Sequence, residues 1–332
     1  MKLIISELNA LARYVSREFY SVMQELIHGY GWQHLETMEL FKGTTPLKAR
    51  LRELLGDLPD AILFWEGYNV LPERAKDILE LGCHKIIFAD DLHWWNEQLR
   101  YRKVISYLLC DTILATYADV FEEFYPDIVR KRALVWVPHS AGADFRLEFN
   151  QQAENAIFLS GAINDYYPLR QQMKRLYDHK GYPIIYQPHP GYHCRYDYGK
   201  DDNVGREYAK KINRHRAGFT DGLRFKYLVA KHFEIPATGA LLLADEAVSA
   251  SFKRLGFIAN RHYLPVSSRN LEEVIRYVVD EKNHQELDEI RKRGQALVWE
   301  RHQTADRARL IDEACSATTW RGIQLRVGYG VR

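Results

Sequence analysis

Cysteine is scarce in this sequence, and the few that occur stand far apart. The 332 residues include four cysteines, Cys83, Cys110, Cys194 and Cys315, and none lies within four residues of another. This spacing lacks the close cysteine pairs of structural zinc sites. A small disulfide scaffold is also excluded, because a chain of this length buries a large hydrophobic core without needing disulfide bonds. The pattern is typical of reduced, mostly buried thiols in a cytoplasmic protein.

Long apolar runs and an excess of charge of one sign are absent as well. The N-terminal run MKLIISELNALARYVSREF is broken by Ser6 and Glu7, so we expect neither a signal peptide nor an anchor. No window approaches 18 uncharged apolar residues, so we expect membrane contact to be peripheral at most. Lys and Arg together number 46 and Asp and Glu 44, a net charge of +2, which argues against a nucleic-acid partner.

Short apolar runs alternate with amphipathic stretches through most of the chain. The predicted strands are 3–6, 61–65, 85–89, 112–116, 133–138, 156–160, 183–187, 217–220, 240–244 and 262–266. The predicted helices lie near 9–27, 46–56, 71–81, 94–108, 118–124, 166–179, 203–214, 224–236, 246–255, 270–282, 285–301 and 303–316. Such alternation predicts parallel sheets covered by helices, an α/β fold.

The chain has about five predicted strands in each half, enough for one doubly wound domain each. The polar, aperiodic stretch at 140–155 is the predicted break. We therefore expect two Rossmann-like domains facing a cleft, 1–145 and 146–316, with ligands at the carboxyl ends of strands. The tail, 317–332, carries arginines and no acid, and is expected to pack back on the first domain. One continuous α/β sheet is the alternative.

The stretch RFKYLVAKHFEIPATGALLLADE, 224–246, reads as a helix, a turn of small residues and a buried strand. In that interpretation Glu234 lies in the last turn of the helix, where a carboxylate opposes the helix dipole and does not serve helix stability. It would suit a ribose diol, which donates two hydrogen bonds. Lys226 and Lys231 would neutralise a diphosphate. The alternative is a surface helix with an ordinary mixed-charge face.

The string KHFEIPATGALLLADE, 231–246, resembles the signature of the CgeB-like (spore maturation protein-type) GT-B glycosyltransferases. That pattern is roughly Arg-x-Phe-Glu-x-x-Ala-x-Gly before an apolar strand. Lys231 takes the place of the Arg, and Phe233, Glu234, Ala237 and Gly239 match. Segments downstream, 255–281 and 290–311, and upstream, 207–220, also resemble the family, so that the clear match spans about 207–311.

The resemblance implies a GT-B-like fold in which the second domain binds a nucleotide-sugar donor. Glu234 would hold the ribose hydroxyls, and Lys231, helped by Arg224 or Lys226, would face the diphosphate. Thr238 and Gly239, in the turn that follows, are further donor-binding candidates. Lys226 stands where related retaining enzymes have a second glutamate, so retention of anomeric configuration does not follow.

Three other segments supply donor-binding candidates. Gly161 ends a predicted strand before a helix that carries Arg170, an arrangement that admits phosphate to a helix N-terminus; an ordinary turn is the alternative. His189 lies in the loop YQPHPGYH, which is similar in two residues to the His-Pro element of some Kdo and sialic acid transferases that hold a CMP-sugar. His139 lies in VPHSAGADF, which resembles the interdomain hinge of GT-B enzymes.

Candidates for the general base lie in the first half. Asp91 is the first choice and His93 the second, because both follow the strand KIIFA at its carboxyl end and either can deprotonate a hydroxyl. Glu66, after the preceding strand, is a rival. Trp94 and Trp95 would stack on a sugar. The alternative is that Asp90 or Asp91 caps a helix in front of core tryptophans.

Taken together, these features predict a metal-independent glycosyltransferase without a cofactor. The donor would be a nucleotide-diphosphate sugar, with a CMP-sugar less favoured, and the acceptor a hydroxyl on a glycan or glycoconjugate. No Asp-x-Asp stands at a predicted strand end, so no metal ligand is assigned. A nucleotide-sugar epimerase or hydrolase of the same fold, and a non-catalytic nucleotide-sugar-binding subunit, are the alternatives. The sugar, the acceptor, the stereochemistry and the oligomeric state are left open.

Overall fold

The computed structural model describes residues 1–192 and 195–316. Contacts divide the chain into two compact units. Unit 1 comprises Met1–Leu11, Tyr20–Pro138 and the described residues from Arg307 onward, and unit 2 comprises Ala12–Phe19 and His139–Asp306. The predicted packing of the tail at 317–332 concerns residues outside those described. Within the described ranges no helix combines the length and the apolar character that a membrane crossing requires.

Unit 1 is built on a six-stranded parallel sheet. Its strands are β1 (Lys2–Ser6), β2 (Gln33–Glu36), β3 (Ala61–Trp65), β4 (His84–Ala89), β5 (Thr112–Ala115) and β6 (Ala133–Trp136), in the order β2-β1-β3-β4-β5-β6. The helices before residue 139 are α1 (Leu8–Leu11), α2 (Glu18–Tyr30), α3 (Thr37–Phe41), α4 (Leu47–Leu55), α5 (Ala75–Glu80), α6 (Glu97–Leu109), α7 (Phe121–Phe124) and α8 (Pro126–Val129). The strand order reverses at β1 and β3, so ligands are expected where those strands end.

Unit 2 is built on a five-stranded parallel sheet. Its strands are β7 (Glu154–Gly161), β8 (Ile184–Pro188), β9 (His215–Thr220), β10 (Leu241–Asp245) and β11 (Leu264–Val266), in the order β11-β10-β9-β7-β8. The later helices are α9 (Pro168–Lys180), α10 (Gly205–Arg214), α11 (Lys231–Ala237), α12 (Ser249–Arg254), α13 (Leu271–Val279), α14 (His284–Arg301) and α15 (Thr304–Ser316). Here the order reverses at β7 and β9, whose carboxyl ends are Gly161 and Thr220.

The predicted α/β class with two parallel sheets is confirmed, and each predicted strand has a counterpart. The sequence missed β2, because QHLE is an edge strand with a single buried residue, Leu35. The predicted helix at 224–236 is wrong: 221–230 forms turns, and α11 begins only at Lys231. The predicted helix at 9–27 is two helices, α1 and α2.

Apolar residues from every strand of unit 2 form its core, which is closed by the flanking helices. Helix α14 approaches the backbone near β11 closely at Gly294, where a Cβ would lie 2.6 Å from the carbonyl oxygen of His262. Glycine is therefore required at this position for packing, although it lowers helix propensity.

Substituting Gly294→Ala is expected to destabilise unit 2 by about 1–3 kcal/mol, because the added methyl group meets a backbone oxygen that cannot rotate away. Urea and thermal unfolding followed by circular dichroism would measure this. Gly29→Ala in α2 is the control, since the new Cβ would lie 3.9 Å from Oε2 of Glu25, an ordinary contact distance. The melting temperature of this variant should hold or rise. An unchanged stability of Gly294→Ala would show that α14 can shift.

Candidate functional site

Three of the predicted donor-binding residues meet where β7 ends. Gly161 has φ +111°, a conformation that favours glycine. A Cβ at Gly161 would lie 2.8 Å from Nη1 of Arg170 and 3.6 Å from Cε of Lys231. The structure thus brings Gly161, Arg170 and Lys231 together, and a side chain at residue 161 would collide with the arginine.

Arg170 is engaged in a buried ion pair with Asp221. Arg170 is 2% exposed; its Nη2 lies 3.1 Å from Oδ1 of Asp221, and its Nη1 donates to the carbonyl of Ala162 at 3.1 Å. The other Asp221 oxygen accepts the backbone N–H of Arg170 at 2.9 Å, in the first turn of α9. A carboxylate therefore already faces the amino end of α9, the place where the sequence predicted a phosphate. Sequence reasoning missed Asp221, which has no motif of its own.

Glu234 and Lys231 lie within a single turn of α11. Glu234 is 6% exposed and belongs to the first turn of this helix, not to the last turn as predicted, because the helix starts later. Burial raises the pKa of Glu234 to about 7; the Lys231 ammonium opposes the rise, Glu18 adds to it and His139 opposes it. Burial also lowers the pKa of Lys231 to about 8, which the Glu234 carboxylate opposes. Both groups thus change charge near neutral pH.

His189 follows β8 and is held as a neutral ring. Its Nδ1 accepts the backbone N–H of Gly191 at 2.9 Å, so the proton of the neutral ring is on Nε2. Burial, together with the positive charges of Lys231 and Arg170, lowers the pKa of His189 to about 4. These electrostatic effects place His189 in the neighbourhood of Lys231, where it offers an uncharged N–H donor.

Arg224 and Lys226 are exposed residues of the segment that follows β9, and they do not lie on the predicted helix. The Arg224 guanidinium lies 4.7 Å from the ring centre of Tyr166, and its backbone N–H donates to the carbonyl of the same residue. Lys226 has φ +59° and Leu223 φ +55°, conformations that cost a non-glycine residue about 1–3 kcal/mol. The loop is therefore held in a strained form.

Thr238 and Gly239 have packing roles at the carboxyl end of α11. The Thr238 hydroxyl is fully buried and donates to the carbonyl of Ile235 at 2.8 Å. Gly239 has φ +84°, and a Cβ there would lie 2.9 Å from Nε2 of Gln295. Its carbonyl accepts from Nε of Arg291 at 2.9 Å. These contacts stabilise the turn between α11 and β10, which explains why Thr238 and Gly239 occupy these positions.

His139 is buried in unit 2 and contacts a residue that the sequence did not single out. Its Nδ1 donates to Oε2 of Glu18 at 2.6 Å, although 121 residues separate them. A single glutamate at the start of a helix gives no signal in the sequence. Tyr208 was also missed, because a single tyrosine has no motif; its hydroxyl pairs with Oγ of Ser160 at 2.6 Å, beside Gly161.

In unit 1, Glu66 occupies the loop after β3, at the point where the strand order reverses. It has φ +63°, so its backbone is held in a conformation that non-glycine residues rarely adopt. Burial raises the pKa of Glu66 to about 8; Asp90 adds to the rise, the Lys103 ammonium opposes it, and Asp91 adds again. The pKa of the predicted rival base thus lies well above the ordinary value of a glutamate.

Asp91 and His93 lie near Glu66 in a loop organised by Lys103. The Lys103 ammonium is almost fully buried and donates to the backbone carbonyls of Asp91 and His93. The Asp91 side chain is 59% exposed, and its Oδ1 lies 3.8 Å from Nδ1 of His93. The structure thus brings the three predicted catalytic residues to one place and adds Lys103, which sequence reasoning missed because it lies on α6.

The helix-cap alternative for the aspartates is wrong, because Asn96 accepts the backbone N–H of Leu99 and caps α6. Trp94 packs against Phe124 and Tyr125, whereas Trp95 is 77% exposed. Among residues 1–192 and 195–316, no group of three or more His, Cys, Asp or Glu side chains is arranged to hold a metal ion.

Comparisons with known proteins show which family model and which solved structures this chain is similar to. Residues 171–313 match the model of a family described as glycosyl transferase-like. A search of the curated proteins gave no match. An alpha-glucosyltransferase solved with UDP and a 13-mer DNA containing a central A:G mismatch is 10% identical, with a TM-score of 0.64, over 96% of this chain and 100% of that chain.

Two further solved structures are similar over nearly their whole length. Sucrose-phosphate synthase from Thermosynechococcus elongatus is 11% identical, with a TM-score of 0.63, over 94% of this chain and 97% of that chain. Anabaena HepE, solved with UDP and glucose, is 11% identical, with a TM-score of 0.59, over 96% of this chain and 100% of that chain. At such identities the likeness concerns the fold. The two parallel-sheet, Rossmann-like domains of this chain match GT-B glycosyltransferase structures, and the closer resemblance to CgeB-like enzymes stays a prediction.

Proposed function

We propose that this protein is a glycosyltransferase that moves a sugar, a hexose or a related one, from a nucleotide-diphosphate sugar to a hydroxyl group. The observation that carries the proposal is the pair Glu234 and Lys231, a buried carboxylate and an ammonium within one turn of α11. A ribose diol donates hydrogen bonds to a carboxylate, and a diphosphate is neutralised by an ammonium. The neutral His189 supplies an N–H donor for the same phosphates.

The donor is proposed to be a uridine nucleotide, since the similar structures were solved with UDP. Lys231 would stabilise the departing diphosphate without a metal ion, because an ammonium preorganised in a dry site stabilises developing negative charge. Arg224 and Lys226, on the neighbouring loop, extend the positive charge. Arg170 acts through its ion pair, by holding Gly161 and Asp221 in place.

The acceptor hydroxyl is proposed to lose its proton to the cluster of Glu66, Asp91 and His93 in unit 1. A general base works best when its pKa lies near the working pH, and the raised pKa of Glu66, about 8, meets this condition. Asp91, the first choice from the sequence, is the more exposed carboxylate. A glycan or glycoconjugate is the proposed acceptor.

Glu234→Ala is expected to weaken UDP binding by about 10-fold or more, because the ribose loses its charged acceptor. Calorimetric titration with UDP, GDP, CMP, dTDP and ADP, in EDTA and then with Mg²⁺, would measure the effect and identify the base. Glu246→Gln, at an exposed carboxylate after β10, is the control. Equal binding by Glu234→Ala and the parent protein would refute the assignment of Glu234.

UDP-glucose affinity is expected to peak between about pH 7 and pH 8. Below this range Glu234, with a pKa of about 7, is protonated and no longer a charged acceptor; above it Lys231, with a pKa of about 8, loses its positive charge. Titrations from pH 5.5 to 9.5 would show both limbs. In Lys231→Arg the alkaline decline should disappear, since arginine does not titrate there. A flat profile in the parent protein would contradict this account.

Glu66→Gln is expected to lower the transfer rate by about 100-fold or more while UDP-glucose binding is kept, because a general base contributes about 10²–10⁴. Release of UDP from UDP-glucose, with a panel of glycan acceptors, measures the rate; Asp91→Asn is assayed beside it. Full activity in Glu66→Gln with a loss in Asp91→Asn would move the base to Asp91. Turnover of UDP-glucose without any acceptor would indicate an epimerase or hydrolase. If the parent protein shows no turnover at all and both variants bind the donor as it does, the protein would be a binding subunit.

A further inference from the structure

A segment from near the N-terminus belongs to unit 2, although β1 and α1, which precede it, belong to unit 1. This segment, Ala12–Phe19, is called the strap below. The carbonyl of Arg13 accepts the backbone N–H of Tyr196 at 3.0 Å, and the carbonyl of Tyr14 accepts the hydroxyl of Tyr198 at 2.7 Å. The strap is therefore bonded along the loop that follows β8.

Arg17 adds a second attachment of the strap. Its guanidinium lies 3.8 Å from the ring centre of Tyr198, and its Nη2 lies 3.3 Å from Oδ2 of Asp144. Gly205 leaves room for the Tyr198 ring on which Arg17 lies, because a Cβ at residue 205 would be 2.6 Å from Cδ1 of Tyr198. The strap is thus fixed immediately before Glu18.

Glu18 is buried and uses both carboxylate oxygens on residues that follow β6. Oε2 accepts Nδ1–H of His139 at 2.6 Å, and Oε1 accepts the hydroxyl of Ser140 at 2.8 Å together with the backbone N–H of Ser140. The ring of Phe19 stacks on the imidazole, with 5.3 Å between the ring centres and 17° between the planes. The strap therefore contacts the His139 ring twice: Glu18 bonds its Nδ1, and Phe19 packs on its face.

A carboxylate at Nδ1 sets the chemistry of the imidazole. It keeps the proton of the neutral ring on Nδ1, so that the lone pair is on Nε2, and it stabilises the ring when a second proton binds. Glu18 and His139 both act on the pKa of Glu234, in opposite directions. The backbone N–H of Ala141 donates to the carbonyl of His302 at 2.9 Å, and the ring centre of His302 lies 5.3 Å from that of Phe233, which precedes Glu234. The segment that carries His139 is therefore packed beside α11, which carries Glu234.

We propose that Glu18 is a positioning residue of the donor site, which fixes the orientation and tautomer in which His139 meets the nucleotide sugar. This inference rests on the proposed function, since the ligand is the same donor. Glu18 does not touch the donor; it acts through His139 and Ser140. The strap thereby makes a residue near the N-terminus part of the binding machinery of unit 2.

The test combines a ligand-free measurement with binding. In Glu18→Gln the amide keeps the size of the side chain but lacks the charge that fixes the proton on Nδ1. Long-range ¹H–¹⁵N spectra of protein labelled at histidine nitrogen, with the His139 signals assigned through His139→Asn, report the tautomer. We expect protonated Nδ1 in the parent protein and a shifted tautomer or a mixture in Glu18→Gln. The same tautomer in both would overturn the proposal.

Calorimetry with UDP-glucose supplies the second measurement. Glu18→Gln and His139→Asn should each weaken binding by about 10-fold, and the double variant should be no weaker than the weaker single variant, since both changes remove one contact. Glu25→Gln, on the exposed side of the same helix α2, is the matched control and should bind normally. Additive losses, or normal binding by Glu18→Gln, would contradict a role through His139.

The two measurements separate the failure of this inference from that of the proposed function. If the parent protein binds no nucleotide sugar, the proposed function and the contact between His139 and the donor are refuted together. The spectra still decide whether Glu18 sets the state of the ring, because they need no ligand. If the parent protein binds UDP-glucose and Glu18→Gln binds equally well with a folded spectrum, only the role of Glu18 is refuted.

Discussion

The buried ion pair between Arg170 and Asp221 holds together the edge of unit 2 at which the donor-binding candidates gather. Arg170 lies in the first turn of α9, Asp221 follows β9, and the same guanidinium bonds the carbonyl of Ala162 just beyond β7. Removing one partner of such a pair leaves a buried, uncompensated charge and costs about 3–5 kcal/mol. Gly161 leaves the room that this guanidinium occupies. The backbone of the site and its electrostatics therefore depend on one interaction.

Burial is the common cause of the unusual protonation at both candidate sites. It raises the pKa of Glu234 to about 7 and that of Glu66 to about 8, and it lowers the pKa of Lys231 to about 8. Desolvation penalises the charged form of acids and bases alike, so their pKa values converge on neutral pH. Groups perturbed in this way and placed at the carboxyl ends of parallel strands are typical of functional sites.

The sequence predicted the architecture well, because its signals are local. Apolar runs such as 61–65 and 240–244 are long enough to define buried strands, and their alternation with amphipathic stretches indicates parallel sheets. The start of α11 was predicted wrongly, since 224–230 has helix-like composition but adopts turns with left-handed residues at Leu223 and Lys226. That error also placed Glu234 at the wrong end of its helix.

The amino-acid sequence alone indicated the α/β class, most of the strands and helices, and Glu234, Lys231, Glu66 and Asp91 as candidate site residues. Tertiary structure decided which partners these residues have. Glu18 and His139 are 121 residues apart in the sequence. Asp221 accepts the backbone N–H of Arg170 in the first turn of α9, although 51 residues separate the two. Hydrophobic periodicity carries no information about such pairings. The pKa values of Glu234, Glu66 and Lys231 lie near neutral pH because these groups are buried, and burial exists only once the chain has folded.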